Sequence, residues 1–128
     1  MRRLDVEHVL VLHAYALAET GGTDGVRDEA LLDSAVAAPY AGYGGTEFYP
    51  GVEAKAARLA FGLIRNHPFI DGNKRAGVLA MLTLLGINGV TLTFTDAELE
   101  TLGSGVAAGT IGVKDIQDWI EAHEAATG

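Results

Sequence analysis

The sequence contains no cysteine, so a disulfide framework and a thiolate metal site are both excluded. Basic residues are also few: nine Lys and Arg stand against 17 Asp and Glu, for a formal net charge of −8. Because binding to a phosphate backbone needs a basic face, we expect no direct contact with nucleic acid. The longest apolar run, over residues 76–85, is far short of the roughly 20 residues of a membrane-spanning helix, and no membrane partner is expected.

The composition that remains is that of a folded protein. Hydrophobic residues make up 48% of the 128 positions and charged residues 20%, which excludes a disordered chain. The length is typical of one domain, so residues 1–128 are expected to form a single unit. The N-terminal residues reach the acidic Asp5 before any apolar run and make a poor secretion signal. Together with the absence of cysteine, this favours a cytoplasmic location.

Apolar residues recur at helical spacing along most of the chain, which predicts an all-α fold. Asp5 is a good N-cap for the first helix, and Thr95 and Glu98 have the spacing of a capping box. Pro39 is predicted to stop the second helix and Gly86 to cap the fourth. The predicted helices cover residues 6–19, 28–38, 52–66, 73–85, a stretch that opens at Thr95, and 113–126.

The fourth predicted helix is the expected centre of the fold. It contains no charged residue after Arg75, so every face is apolar and the helix should be buried on all sides. By contrast, residues 41–50 are rich in Gly and Tyr and are expected to form a loop or a short exposed hairpin. Residues 90–93 are expected to be a short extended piece.

The segment of residues 67–75, which leads into the fourth helix, departs from the usual rules for helix ends. Gly72 gives its turn backbone freedom, and Asn73 is predicted to be the N-cap. Lys74 and Arg75 then place cations at the helix N-terminus, where the helix dipole makes each unfavourable by roughly a few tenths of a kcal/mol. A bound anion would reverse that term, because the free amides at a helix start attract anions.

The distribution of cations along the sequence also suggests an anion-binding site. Four of the nine, Arg58, Arg65, Lys74 and Arg75, fall within 18 residues. An acidic chain with one basic spot suggests a small anionic ligand rather than a polyanion. Solvated charges on ordinary helix surfaces are an equally good explanation of the pattern.

Phosphate is the anion that this segment suits best. Asp71 would hold a Mg²⁺ ion that bridges phosphate oxygens, and His67 would take the proton of an attacking hydroxyl. These parts match the needs of phosphoryl transfer: positioning, charge neutralisation and a base. A structural histidine before a proline and an ordinary Asp-Gly-Asn turn are the alternative explanations. No stretch has the Gly and Lys spacing of a P-loop.

Residues 67–75 resemble the signature of the Fic/Doc family, His-x-Phe-x-Asp/Glu-Gly/Ala-Asn-Gly/Lys-Arg. Seven positions match: His67, Phe69, Asp71, Gly72, Asn73, Lys74 and Arg75. Further likeness to the Doc, or death-on-curing, branch lies in residues 21–22, 25–28, 31–35 and 88–90. The resemblance implies six helices, with the motif ahead of a central helix and a short hairpin or loop as a flap.

Two positions separate this chain from the adenylyltransferases of the family, which have Gly at position 74 and Arg at position 78. Lys74 and Val78 stand there instead, and the Asn-Lys-Arg form is that of the Doc branch. The resemblance therefore implies a type II toxin that uses ATP and Mg²⁺ to phosphorylate a protein hydroxyl, such as a threonine of elongation factor Tu, and so stops translation. An adenylyltransferase and a non-catalytic corepressor that only binds its antitoxin are the alternatives.

The resemblance also assigns roles to the motif residues. His67 is implied to be the base and Asp71 the Mg²⁺ ligand, while Gly72, Asn73, Lys74 and Arg75 hold the nucleotide phosphates. Residues 41–50 correspond to a flap that docks the target by strand addition.

Self-inhibited relatives carry a Ser/Thr-x-x-x-Glu-Gly/Asn helix that blocks the nucleotide. None of the nine glutamates in this chain is followed by Gly or Asn, so that helix is missing. A separate antitoxin resembling Phd is therefore expected to supply the inhibition, through a segment that folds on binding.

Overall fold

The computed structural model describes residues 1–125 and confirms an all-α fold with a small hairpin. The hairpin consists of β1 (Gly42–Tyr43) and β2 (Thr46–Glu47), which pair antiparallel around a two-glycine turn. A 3₁₀ turn at Ala38–Tyr40 precedes it. The six helices are α1 (Val6–Thr20), α2 (Glu29–Ala37), α3 (Val52–Arg65), α4 (Asn73–Ile87), α5 (Asp96–Ala108) and α6 (Val113–Ala122).

Several helices begin where the sequence predicts. The Asp5 carboxylate accepts the backbone N–H of His8 at the start of α1, and the His8 ring accepts the N–H of Asp5 in return. Thr95 and Glu98 form the predicted capping box of α5. Both arrangements satisfy amides that lack a partner in the first helical turn.

The central position predicted for α4 is confirmed, but burial on all sides is not, since Leu79, Leu82 and Thr83 are only half-buried. It packs mainly against α3, and its fully buried residues include Ala76, Ala80, Met81 and Leu84. The two helices pack tightly at Gly77, where an added Cβ would lie 2.5 Å from Ile64 Cγ1. Such close packing places the N-terminus of α4, and the segment that precedes it, against the ends of its neighbours.

The predicted cap of α4 is wrong. Gly86 continues the helix, which ends at Ile87, and the residue with positive φ is Gly89 (φ +84°). Gly89 N–H donates to Gly86 O, and Val90 N–H donates to Leu85 O. These two bonds close the last turn in the Schellman pattern, which requires the glycine one residue beyond the C-cap.

The end of α2 agrees with prediction to within one residue, whereas the end of α6 differs. α2 ends at Ala37, and Pro39 lies within the adjoining 3₁₀ turn. α6 ends at Ala122, because the chain beyond it pairs with the extended piece of residues 90–93: Thr93 N–H donates to His123 O, and Ala125 N–H donates to Thr91 O. Residue 126, the predicted end of α6, lies outside the described residues.

Within residues 1–125, none of the helices combines the length and the apolar character that crossing a membrane would require.

Candidate active site

The motif loop, residues 67–72, joins α3 to α4 and contains two residues with left-handed backbone. Gly72 has φ +81° and is the N-cap residue of α4. A Cβ at Gly72 would lie 3.4 Å from the ring of His13 and 3.2 Å from Leu17, so both conformation and space favour glycine there. The predicted freedom of this turn is therefore confirmed. His67 also has positive φ (+48°), which is unusual for a residue with a side chain.

The segment that leads into α2 holds the motif loop through its backbone. Arg27 N–H and Asp28 N–H both donate to Pro68 O, at 2.7 and 3.1 Å. Arg27 also reaches back with its guanidinium, which donates to the carbonyls of His67 (2.6 Å) and Asn66 (2.8 Å). The strained conformation at His67 is thereby fixed by bonds on both sides of it.

Asn73 is not the N-cap that its type predicts. It is the first residue of α4, it is only 6% exposed, and no side chain caps this helix. Its side-chain oxygen accepts the N–H of Phe69 (2.9 Å), and its amide nitrogen donates to Phe69 O (3.0 Å). The side chain therefore locks the motif loop from inside. What remains at the helix start is the Asn73 backbone N–H, which has no acceptor within α4.

His67 lies exposed at the mouth of the motif loop. Its Nδ1 is 3.2 Å from the amide nitrogen of Asn73. Since Phe69 fixes the orientation of the Asn73 amide, that nitrogen is a donor and Nδ1 is the acceptor. In the neutral ring Nδ1 is then the bare nitrogen, and Nε2 carries the hydrogen. An incoming hydroxyl must displace Asn73 from Nδ1, or the ring must turn, before His67 can act as a base.

Asp71 is exposed, and two elements hold it. Its carboxylate oxygen Oδ2 accepts the backbone N–H of Thr23 (2.8 Å), and its carbonyl oxygen lies 2.7 Å from Nε2 of His13. The second carboxylate oxygen has no protein donor among the described residues, which suits a metal ligand. No group of three or more metal-ligating side chains forms in residues 1–125. A Mg²⁺ ion at Asp71 would take its other ligands from phosphate and water, as this ion commonly does.

A cleft of about 530 Å³ opens beside the start of α4, between the C-terminal end of α1 and the first half of α5. Apolar and charged side chains share its walls. The lining residues are Thr20, Gly72, Lys74, Arg75, Val78, Asp96, Leu99, Glu100 and Gly103.

The two motif cations are held on opposite walls of this cleft. Lys74 Nζ donates to the carboxylate of Glu100 (3.0 Å) and to Ser104 Oγ (3.3 Å) on α5. Arg75 donates to the carboxylate of Glu19 (2.9 Å) on α1. Hydrogen bonds from Lys74 and Ser104 hold the pKa of the Glu100 carboxyl below its usual value.

These residues fit a polyphosphate. Arg75 Nε is buried and has no hydrogen-bond partner within the described chain. It lies at the same helix start as the amides of Asn73 and Lys74, which also lack intrahelical acceptors. Two cations and the positive end of a helix dipole thus meet at one cleft.

The other two cations of the sequence cluster lie elsewhere. Arg65 donates to Ala107 O near the C-terminal end of α5. Arg58 lies 5.9 Å from the ring of Tyr49 and 5.5 Å from that of Phe61. The suggestion of one basic spot made of four cations is therefore wrong, and only Lys74 and Arg75 line the cleft.

Sequence reasoning missed the residues that hold the motif from outside. His13 lies buried on the apolar side of α1 and bonds to the Asp71 carbonyl, but nothing in the local sequence identifies Asp71 as its partner. Arg27 lies within the family-like residues 25–28, but nothing there shows that it bonds to the motif loop, and Glu100 carries no local signal. Their roles depend on which segments of the chain the fold brings together.

Comparison with known proteins matches the part of the chain that contains this site. The model of the Fic/DOC family matches residues 3–85, from the start of the chain through the motif loop and most of α4. A curated protein of Mycolicibacterium smegmatis named Toxin Doc is 48% identical over 89 residues. That alignment covers 70% of this chain and 66% of the relative, so just under two thirds of the relative's own length is matched.

Proposed function

Because the chain belongs to the Fic/Doc family, we propose that it is the toxin of a toxin–antitoxin pair and that it acts as a protein kinase. The reaction transfers the γ-phosphate of ATP to a hydroxyl group of a target protein. The similarity to a protein named Toxin Doc supports the biological role. The residues that line the cleft support the proposed kinase reaction.

The observation that carries the kinase assignment is the path of Lys74. Its side chain lies so close to α5 that a Cβ on Gly103 would be 3.0 Å from Lys74 Cγ, and it ends at Glu100. The adenylyltransferases that this motif resembles leave position 74 open with glycine and hold a far phosphate with arginine at position 78. Here Val78 lines the cleft and cannot bind an anion. A filled position 74 and an apolar position 78 favour the reversed nucleotide of a kinase.

Each motif residue then has a defined task. Lys74, Arg75 and the amides at the start of α4 bind the phosphates and neutralise their charge. Asp71 holds Mg²⁺, which would neutralise further charge on the phosphate oxygens. His67 takes the proton of the target hydroxyl while the hydroxyl oxygen bonds to the γ-phosphorus. The bond between that phosphorus and the ADP oxygen breaks, and ADP leaves.

The hairpin offers a place for the target. Tyr43 is 84% exposed and Phe48 60% exposed, next to strands only two residues long whose outer edges are open. A target segment that adds a strand here would gain backbone hydrogen bonds and two aromatic contacts. By family resemblance, the first target to test is elongation factor Tu at a threonine.

Labelled ATP separates the chemical alternatives. The purified chain is incubated with Mg²⁺, elongation factor Tu and ATP labelled at either the γ or the α position. We expect label on the target from the γ position only, and none with His67→Ala. Label from the α position only would establish adenylyl transfer instead. No label from either, with folded protein and with a bacterial lysate as the target, would leave only the corepressor role.

Growth of a bacterial host tests the toxin role. Expression of the chain alone should arrest growth, and a partner that resembles the Phd antitoxin should relieve the arrest. The His67→Ala variant should be harmless yet still bind that antitoxin. Normal growth with soluble, folded wild-type protein would contradict the proposal.

A further inference from the structure

We propose that His13, on α1, is a positioning residue of the active site that acts through Asp71. The signature motif does not include His13, which lies 54 positions before His67 in the chain. The proposal rests on the proposed function only where it concerns nucleotide and metal, and its structural part stands without it.

The first observation is a buried hydrogen bond. His13 is 3% exposed, and its Nε2 lies 2.7 Å from the carbonyl oxygen of Asp71. A carbonyl can only accept, so Nε2 carries the hydrogen and donates it. A buried imidazole N–H needs an acceptor, and here the acceptor is a backbone carbonyl of the motif loop.

The second observation is that the same ring touches the loop at two further points. His13 stacks on Phe69 with ring centroids 3.7 Å apart and planes within 6°. On the far side of Asp71, a Cβ at Gly72 would lie 3.4 Å from the His13 ring. One imidazole thus stacks on Phe69 before the predicted metal ligand and lies close to Gly72 after it.

Fixing the carbonyl of Asp71 fixes more than one atom. The peptide between Asp71 and Gly72 is planar, so a bond to its oxygen sets the orientation of the whole unit immediately before α4. The Asp71 carboxylate is meanwhile held by Thr23 N–H. With backbone and side chain both held, the open carboxylate oxygen has a defined position relative to the helix N-terminus. Preorganisation of this kind keeps a metal ligand in place before the metal arrives.

Two substitutions separate the hydrogen bond from the ring. His13→Phe keeps an aromatic ring to stack on Phe69 but removes the donor. His13→Gln keeps an N–H donor at about the same reach but removes the ring. If the bond to Asp71 is what matters, the Phe variant is the impaired one, although it preserves more of the packing.

The first readout needs neither nucleotide nor target. Amide hydrogen exchange of Phe69 and Ile70 reports on the motif loop, because Phe69 N–H donates to Asn73 Oδ1 at the start of α4 and Ile70 N–H donates to Gly25 O in the segment before α2. We expect exchange in His13→Phe to be faster by about tenfold or more, since the Asp71 carbonyl loses its buried partner. Exchange in His13→Gln should stay within about threefold of wild type.

The second readout is the affinity for Mn²⁺ with ATP, measured from the electron paramagnetic resonance signal of free Mn²⁺. We expect roughly tenfold weaker binding for His13→Phe and near wild-type binding for His13→Gln. Failure of the wild type to bind Mn²⁺ with ATP would count against the proposed function, while the exchange data would still test His13.

Val9→Ala, one turn earlier on α1, is the matched control. It opens a cavity in the core without removing any side-chain hydrogen bond. If this control lowered Tm as much as His13→Phe and also sped exchange of Phe69 and Ile70 equally, the positioning role would be overturned. Wild-type exchange and affinity in His13→Phe would overturn it as well. Equal impairment of the Gln and Phe variants would assign the effect to ring packing and reject the hydrogen bond.

Discussion

His67 combines the proposed catalytic role with an unfavourable backbone conformation. A residue with a side chain and φ of +48° costs about 1–3 kcal/mol relative to a relaxed backbone. The two hydrogen bonds from the Arg27 guanidinium, to the carbonyls of His67 and Asn66, hold that conformation. The fold therefore gives up stability at the residue whose side chain reaches out of the loop.

Glycine at this position should relieve the strain. We expect the free energy of unfolding of His67→Gly to be about 1 kcal/mol higher than that of His67→Ala, because glycine adopts positive φ without a steric penalty. Urea denaturation of the two variants measures the difference. Both lack the proposed base, so neither should arrest growth. A lower or equal stability of the glycine variant would mean that the backbone at position 67 is not strained.

Glu100 competes with any phosphate that binds Lys74. Removing its charge should therefore tighten the binding of ATP, by about two- to fivefold for an exposed ion pair of this kind. Isothermal titration of Glu100→Gln with ATP and Mg²⁺ measures the change. Glu7→Gln, which makes the same change in net charge on the exposed first turn of α1, is the control. Weaker binding by Glu100→Gln would instead show that Glu100 helps to place Lys74.

Also at the scale of single residues, the sequence predicts a local backbone property better than it predicts which partner a side chain bonds to. The motif identifies Gly72 as the flexible point, and the structure agrees because only the local backbone is involved. Asn73 is different, since capping α4 and bonding to Phe69 are both open to a short amide. The left-handed Gly72 takes the cap position and turns Asn73 inward, so the choice depends on the shape of the whole loop. The chemical roles of the motif residues stay predictions.

Among the elements, the hairpin depends on one buried cation. Lys55 on α3 is only 3% exposed. Its ammonium donates to the carboxylate of Glu47 (2.8 Å) and to Tyr49 O (2.5 Å), which lie in β2 and just after it. The hairpin strands are too short to be stable alone, so this link to α3 fixes where the hairpin stands.

Removing the Lys55 ammonium should weaken the use of the protein target without changing the binding of ATP. We expect Lys55→Met to raise KM for the target severalfold and to leave the affinity for ATP unchanged, because the hairpin lines no part of the cleft. Steady-state kinetics with labelled ATP and ATP titration give the two values. Lys114→Met, which removes an exposed lysine paired with Asp118, is the control. Equal loss of both functions would indicate a general folding defect.

The starts of the elements are more predictable than their ends. Asp5 and Thr95 cap as predicted, because a cap bonds within three residues, and Asp28 caps α2 one residue before the helix begins. The ends of α4 and α6 depend instead on the chain segments beyond them. Gly86 can continue a helix as well as stop one, and α6 stops where the chain finds a partner in residues 90–93. Tertiary pairing of that kind leaves no mark on the local pattern.

On the scale of the whole molecule, His123 ties the last helix to α5. Its Nδ1 lies 2.7 Å from Trp119 O and its Nε2 lies 2.8 Å from the carboxylate of Glu98. Both neighbours are acceptors, so the protonated ring satisfies both bonds at once. The hydrogen bond to Glu98 raises the pKa of His123 above its usual value, and the bond to Trp119 O adds to it.

This pair makes stability depend on pH in a defined direction. A raised histidine pKa means that the contribution is fully present below the unfolded value of about 6.5 and is lost as pH rises through the higher folded value. Glu98, whose pKa the same bond lowers, stays charged at about pH 6. We expect the excess Tm of wild type over His123→Gln to be larger at about pH 6 than at about pH 8.5. An excess that is constant or grows with pH would contradict this.

The separation of the four clustered cations is also a property of the whole molecule. Arg58 and Arg65 precede the motif loop on α3, whereas Lys74 and Arg75 come after it on α4. Closeness in the sequence could not reveal that α3 turns one pair toward the hairpin and α5, away from the cleft. The family signature includes only Lys74 and Arg75 of these four cations, because it spans the motif loop and the first turn of α4.

Gly77 and Ile64 share a single space where α3 and α4 meet, and this limits how such a sequence can diverge. A methyl group at position 77 fits only if the side chain at position 64 becomes shorter, since Ile64 Cγ1 already occupies its place. Either change alone passes through a less stable ancestor, by overcrowding or by a void. In a lineage of related proteins the two positions should therefore be inherited as a pair and exchanged together.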